Sequence, residues 1–267
     1  MRRLAACAAL FAAFAATPAA AQMVPSTCIA IAESLPRASY VAMDGPAAQR
    51  YAAIDGDVTI TYVTHATYRI ESPNGVVAAT DFAGFAGETT PDIVTMNKAH
   101  SSHNTPYPDP AIPHVLLGWN PEGGPAEHAL TVDDMYVRNV PTDIRSYGGM
   151  EADGNSIFIF EVAGLCIGHL GHLHHTLTNE DYARIGRLDI LMVPVDGGMT
   201  MSQEGMGEIA DRLRSSIVLP MHRFAGPIER FLDRMPGFAV ERRDTPSLTI
   251  SVRTLPRTPT VIVLKGV

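Results

Sequence analysis

The sequence predicts a mixed α/β (α+β) domain, with sheets packed on one another and helices outside them. Three observations predict it. The first half of the chain is rich in alternating or β-branched apolar runs separated by turn residues. The second half alternates apolar strands with amphipathic helical stretches. The length, 267 residues of which 46% are hydrophobic, suits one large domain with a sizeable core.

Taken in order, the chain opens on "MRRLAACAALFAAFAATPAAAQ", with Arg2 and Arg3, an apolar run and small residues ending at Ala21. This pattern predicts a secretory signal peptide over 1–21, cleaved after Ala21 and leading to the periplasm or the exterior. Its apolar part, 4–16, is shorter than the ~20 residues of a membrane-spanning helix. Residues 22–56 mix Pro, Ala and polar residues and read as an N-terminal extension with a short helix; the main domain then covers 57–267. "VTITYVTHATYRIES" (58–72) reads as strand, and "GVVAATDF" (75–82) follows after the turn signal Pro73-Asn74-Gly75. "PDIVTMNKAH" (91–100), "HVLLGW" (114–119), "ALTVDDMYVRNVPT" (129–142), "SIFIFEVAGLCIGHLG" (156–171), "LDILMVPVDGG" (188–198) and "SSIVLPMH" (215–222) continue the strands. "TNEDYARIGR" (178–187) opens on a Thr cap and an acidic turn, and "SQEGMGEIADRLR" (202–214) has apolar residues at helical spacing. The end, 247–266, returns to strand.

The formal net charge of −8, with no basic cluster, argues against nucleic-acid binding. No later segment is long and apolar enough to span a membrane. Beyond the signal the chain holds Cys28 and Cys166, which could pair in an oxidising compartment or stay as thiols.

Histidines fall at strand ends: His65, His100, His103, His169, His172 and His222 each lie at or just after an apolar run. Side chains on loops above a rigid scaffold can converge on one cleft. Taken together and in order, "ITYVTHATYRIES", "VVAATDF", "DIVTMNKAHSSHNT", "GNSIFIFEVAGLCIGHLGHLHHTLT", "LDILMVPVDGGMTMS" and "IVLPMH" resemble the metallo-β-lactamase superfamily. They are most similar to the branch holding ascorbate-6-phosphate lactonase and N-acyl-phosphatidylethanolamine phospholipase D. The resemblance runs from about residue 57 to the end. It implies a four-layered αβ/βα sandwich, metals held by loops at one edge, and hydrolysis of an ester, lactone or phosphoester by a metal-bound hydroxide.

The resemblance also shows where the chain departs from the pattern. The family's H-x-H-x-D-H falls on Lys98, His100, Ser102 and His103; its His-Leu-Gly-Asp falls on His169 and His172; its last His falls on His222. Four ligands are kept, and three positions carry Lys98, Ser102 and His172, so the bridging carboxylate of a two-metal centre is missing. The expectation is one ion, zinc or another transition metal, held by some of His100, His103, His169, His172 and His222. Two ions, or none, are the alternatives. Lys98 could occupy the first metal's place and face an anion, or swing to solvent. Lys98 and His65 are the candidates to stabilise developing negative charge on a small, anionic substrate. Asp81 matches a carboxylate that orients a metal-bound imidazole, with a turn-forming Asp as the plain alternative. His114 and His128 read as packed or solvated. His174 and His175 read as loop residues. Trp119 reads as an exposed rim residue, and the methionines near 199–206 as core. The reading from another class is a catalytically silent protein that binds a small anion or a partner in the remaining pocket.

Overall fold

The computed structural model describes residues 26–29, 56–146, 148–224 and 226–267. The expected signal peptide, and nearly all of the extension, lie outside these residues. Among the described residues the strands form two sheets. The first contains β1 (Val58–Thr64), β2 (Thr67–Glu71), β3 (Val77–Ala79), β4 (Ile93–Met96) and β5 (His114–Leu117). The second begins with β6 (Ala129–Val132), β7 (Met135–Ser146), β8 (Gly149–Val162) and β9 (Leu165–His169). Helix α1 (Asn179–Ile185) leads to β10 (Ile190–Pro194), α2 (Gln203–Leu213) to β11 (Ile217–Met221), and α3 (Glu229–Leu232) to β12 (Ala239–Arg242). β13 (Ser247–Ile250) returns to the first sheet and β14 (Thr260–Val263) to the second. The strand orders are β13-β1-β2-β3-β4-β5 and β12-β14-β11-β10-β9-β8-β7-β6.

Period-two alternation sorts the side chains into layers. Ile60, Tyr68, Ile70 and Ile93 from one sheet meet Phe158, Phe160, Ile167, Met192 and Leu219 from the other in a core between the sheets. The intervening residues of the second sheet, Ile157, Ile159, Leu191, Val193 and Val218, pack under Ile185, Met206, Ile209 and Phe231 of the helices. On the outer face of the first sheet, Val94 and Met96 are covered by the loop residues Phe82, Ala86 and Ile112. The expected mixed α/β sandwich is present; its described helices lie on the second sheet.

Three expected strands are in fact hairpins. Residues 58–72 fold back at His65 and Ala66, residues 129–142 at Asp133 and Asp134, and residues 156–171 at Ala163 and Gly164. The apolar alternation continues on both sides of each two-residue turn, so it hides the break. β12 and α3 were not anticipated either; β12 is an edge strand with every side chain exposed, so it carries no apolar pattern. Trp119 packs part-buried beside the outer cluster of the first sheet rather than standing free.

β3, β4 and β5 run parallel, as do β9, β10, β11, β14 and β12. In parallel sheets the carboxyl ends of the strands open on one edge, where ligands bind. The described residues contain no helix long and apolar enough to cross a membrane.

Residues 26–29 are fixed to the second sheet. Cys28 and Cys166 form a disulfide, with Cα atoms 6.0 Å apart. Glu161 accepts from the Thr27 amide at 2.9 Å and from the Thr27 hydroxyl at 3.0 Å. It also pairs with Arg138 at 2.9 Å, and Arg138 donates to the Arg184 and Ile185 carbonyls that end α1. A disulfide removes loop-closure entropy from the unfolded chain. The double variant C28A/C166A is therefore expected to be less stable by about 2–5 kcal/mol, read as a lower denaturant midpoint.

Candidate metal centre

The cleft lies where strand carboxyl ends from both sheets meet. His65 occupies the turn between β1 and β2, Asp81 follows β3, His100 and His103 sit in the loop after β4, His172 follows β9, Asp196 follows β10 and His222 follows β11. Three of these residues hold left-handed backbone: His65 (φ 44), Asp81 (φ 41) and His222 (φ 52). Such conformations cost energy in non-glycine residues and gather at functional sites. Here the His222 amide donates to the His65 carbonyl at 2.7 Å, which joins the two sheets at the cleft.

His65, His100, His103 and His222 each bring a ring nitrogen to within 4.8 Å of the others. The His65 and His222 rings are 4.0 Å apart, and those of His100 and His103 are 4.6 Å apart. His172 adds a fifth ring, 5.1 Å from His100, 4.7 Å from His103 and 4.9 Å from His222.

In several of these rings one nitrogen is held and the other is free. His103 Nδ1 lies 2.6 Å from Asp81 Oδ2, whose other oxygen accepts from Asn97 Nδ2 at 2.8 Å. His100 Nδ1 lies 2.8 Å from Ser102 Oγ. His172 Nδ1 lies 2.7 Å from His174 Nε2. His222 Nδ1 is 3.1 Å from Asp196 Oδ1, outside hydrogen-bond angles. The Nε2 atoms of His65, His100, His103, His172 and His222 are all buried without a hydrogen-bond partner. Leaving one buried polar atom unpaired costs about 1–3 kcal/mol, so five lining one cleft, on rings of which four bring nitrogens within 4.8 Å of one another, indicate a missing common partner. A transition-metal ion fits: neutral imidazoles suit zinc, copper, iron or nickel, and an outer partner on the second nitrogen fixes the ring's tautomer and direction.

The loops that present these rings are closed by their own polar groups. Buried Asn97 donates to Asp81 and accepts from the Ser156 amide at 2.7 Å. Asn155 Oδ1 accepts from the His172 amide at 2.7 Å. Gly171 (φ 61) cannot be replaced, because a Cβ there would stand 2.4 Å from both Asn97 and Asn155.

Electrostatics keep the cluster neutral. Burial, and next the nearby His222, push His103 down to about 2. Burial, then His222 and His103, push His65 to about 4, and burial followed by Arg145 does the same to His174. His172 lies well below the ordinary range, through burial and then His103. Burial pushes Asp81 up. Burial also works to raise Asp196, but the His222 ring beside it and hydrogen bonds from Thr200 and Gly198 outweigh it and hold that carboxyl low.

The expected residues are thus distributed unevenly. His100, His103, His172 and His222 come together, joined by His65. His169 is fully buried, but Nε2 lies 2.8 Å from the Ala66 carbonyl and Nδ1 accepts from the Gly171 amide at 3.1 Å; it stands outside the four-histidine group. Lys98 takes the second of its two expected arrangements: its side chain, 46% exposed, pairs with Glu151 at the surface. Ser102 holds a ring instead of a metal. Asp81 is the imidazole-orienting carboxylate expected of it. His114 is half-buried on β5, and His128 bonds the Leu117 carbonyl at 2.7 Å. Sequence reasoning missed Asp196, in a glycine turn; of His174 and His175, the pair from which it allowed one residue at the pocket rim, His174 is the one that meets the cluster.

A histidine cluster at the strand ends of an αβ sandwich defines a metal-binding, hydrolase-like protein. The beta-lactamase superfamily domain matches residues 59–222, well over half of the chain, and the chain belongs to that superfamily. It is similar to a protein from Thermotoga maritima described as a zinc-dependent hydrolase of the metallo-beta-lactamase superfamily. That likeness has 27% identity and TM-score 0.57, and covers 78% of this chain and 98% of the other. A metallo hydrolase from Ignicoccus hospitalis shares the fold at 19% identity and TM-score 0.53, over 73% and 97% of the chains. A diiron β-hydroxylase from Streptomyces venezuelae does so at 12% and 0.50, over 79% and 58%. No curated protein matches the chain.

His65, His100, His103, His169, His172 and His174 have folded-state values below the ~6.5 of an unfolded histidine. Between those values the unfolded chain binds more protons, so their stabilisation is complete above about pH 6.5 and is lost as pH falls. Asp196 acts in the same direction, lower in pH, and Asp81 opposes it. The metal-free protein is expected to lose several degrees of Tm from about pH 7 to about pH 5. A flat or rising Tm in a pH series would contradict the buried neutral cluster.

Proposed function

We propose that the protein is an exported, metal-dependent hydrolase acting on an ester, lactone or phosphoester of a small, anionic molecule. In this reading it is related to the branch of ascorbate-6-phosphate lactonase and N-acyl-phosphatidylethanolamine phospholipase D. One observation carries the reading: the five buried, unpartnered Nε2 atoms around one cleft. The Cys28–Cys166 disulfide supports export, since such bonds persist in oxidising compartments. The hydrolases of similar fold from Thermotoga and Ignicoccus support the reaction class. The hydroxylase on the same fold shows why the reaction must be argued from the site.

Three of the clustered imidazoles, drawn from His100, His103, His172 and His222, would hold a single zinc ion and leave a position open for water. A bound metal of this kind supplies Lewis acidity towards a carbonyl or phosphoryl oxygen and lowers the pKa of water. The chain's residues do the rest. Asp81 holds the proton on His103 Nδ1 and keeps Nε2 free, and Asp196 places negative charge beside His222. Ser102 and His174 set the directions of His100 and His172. With His172 in the place of the bridging carboxylate, the cluster offers no anion to share between two ions, which favours one ion over two.

A second reading, a catalytically silent protein binding a small anion or partner in the same cleft, is favoured by Lys98. That residue stands where the family has a ligand, and it turns to Glu151.

The protein purified without a His tag should carry about one metal ion per chain and hydrolyse p-nitrophenyl acetate, a simple lactone or bis(p-nitrophenyl) phosphate. The H100A/H103A variant should lose both metal and activity while staying folded. Folded wild-type protein that takes up no metal and cleaves none of these would end the hydrolase reading. Metal-loaded protein that cleaves none would leave the silent reading in its place.

A further inference from the structure

We propose that His65 is a metal ligand and that His169, which the family pattern makes a ligand, is instead a positioning residue for it. This rests on the reading that the cleft holds a metal ion.

The case for His65 is geometric. Its nitrogen belongs to the group of four within 4.8 Å of one another, a group that His169 does not join. Its Nε2 is buried and unpartnered, and its ring lies 4.0 Å from His222 and 5.3 Å from His103. It sits at φ 44, a left-handed conformation that His, Asn and Asp tolerate better than other side chains. The backbone at that point is not free to relax, because its carbonyl accepts from the His222 amide at 2.7 Å. The turn therefore aims one imidazole into the cleft and fastens it to the strand end that carries another.

The case against His169 as a ligand is equally local. Both ring nitrogens are committed. One tautomer, with the proton on Nε2, donates to the Ala66 carbonyl at 2.8 Å and accepts the Gly171 amide on Nδ1 at 3.1 Å. Ligation through either nitrogen would break a buried hydrogen bond and strand its partner. The Ala66 carbonyl belongs to the same two-residue turn as His65. His169, at the end of β9 in the second sheet, thus holds the turn of the first sheet that presents the ligand. The resulting donor group is made of neutral imidazoles, with Asp81 and Asp196 behind it, and suits nitrogen-preferring divalent ions over magnesium or calcium.

Cobalt(II) is the probe, titrated into metal-free full-length protein and followed by calorimetry and by its visible spectrum, with thermal melts as a check on folding. His65→Asn keeps a residue suited to left-handed backbone but removes Nε2; His65→Gly, which carries no Cβ, is the second variant should the first not fold. Both should weaken cobalt binding by more than about 100-fold, beyond the 10–100-fold cost of losing an outer partner, and should change the spectrum. His169→Leu should weaken binding by about 10–100-fold. His169→Gln, which can still donate to the Ala66 carbonyl, should restore most of the affinity and the wild-type spectrum. Wild-type affinity and spectrum in both His65 variants would overturn the proposal, as would a His169→Gln variant as damaged as His65→Asn. In either event cobalt binding by the wild type would leave the metal reading standing. A wild type that binds no cobalt would remove both.

Discussion

Five imidazoles packed into one edge of a protein cannot carry their charges together. Taken from water into a crowded interior, each would meet both a desolvation cost and repulsion from its neighbours. Burial therefore favours the neutral form of His65, His100, His103 and His172, and a neutral imidazole leaves one bare nitrogen. Everything nearby answers this constraint. The carboxylates of Asp81 and Asp196, the Ser102 hydroxyl and the second imidazole of His174 all approach from the Nδ1 side, and the Nε2 side is left for a shared partner.

The scaffold meets the same demand by fixing the loops with groups that have no part in the chemistry. Asn97 lies under the loop after β4 and touches Asp81 on one side and the backbone of β8 on the other. Asn155 does the same for the loop after β9. Neither could be replaced by an apolar residue of similar size without leaving amides unpaired in the interior. The left-handed residues at His65, Asp81 and His222 are held in place by these surroundings, and local strain is converted into direction for the rings.

Much of the fold was legible in the sequence, because its sheets obey a simple alternation that sorts Ile60, Phe158 and Ile159 onto opposite faces. The two-residue turns were not, since a turn built from His65 and Ala66 carries no glycine or proline and leaves the alternation unbroken. The site was legible as a set of strand-end histidines, and Asp81 as their support. What sequence could not settle was direction. The family resemblance makes His169 a ligand and His65 a pocket residue; the two part because the His65 ring lies beside three other imidazoles while both nitrogens of His169 meet backbone. Lys98 posed the same question, and the presence of Glu151 on a distant strand answered it. Asp196 was hidden by the glycines after it, which read as a turn whose backbone could approach the pocket, with no role for the carboxylate.

The disulfide that ties residues 26–29 to β9 has a consequence for the order of assembly. Its two cysteines are 138 residues apart, and the second lies well past the midpoint of the chain. Cys28 precedes β1, yet its partner does not exist until β1 to β8 have been synthesised. The amino-terminal segment waits, its thiol unpaired, while β1 to β8 are laid down. Closing the bond then marks a chain that has reached β9, the strand whose last residue braces the His65 turn.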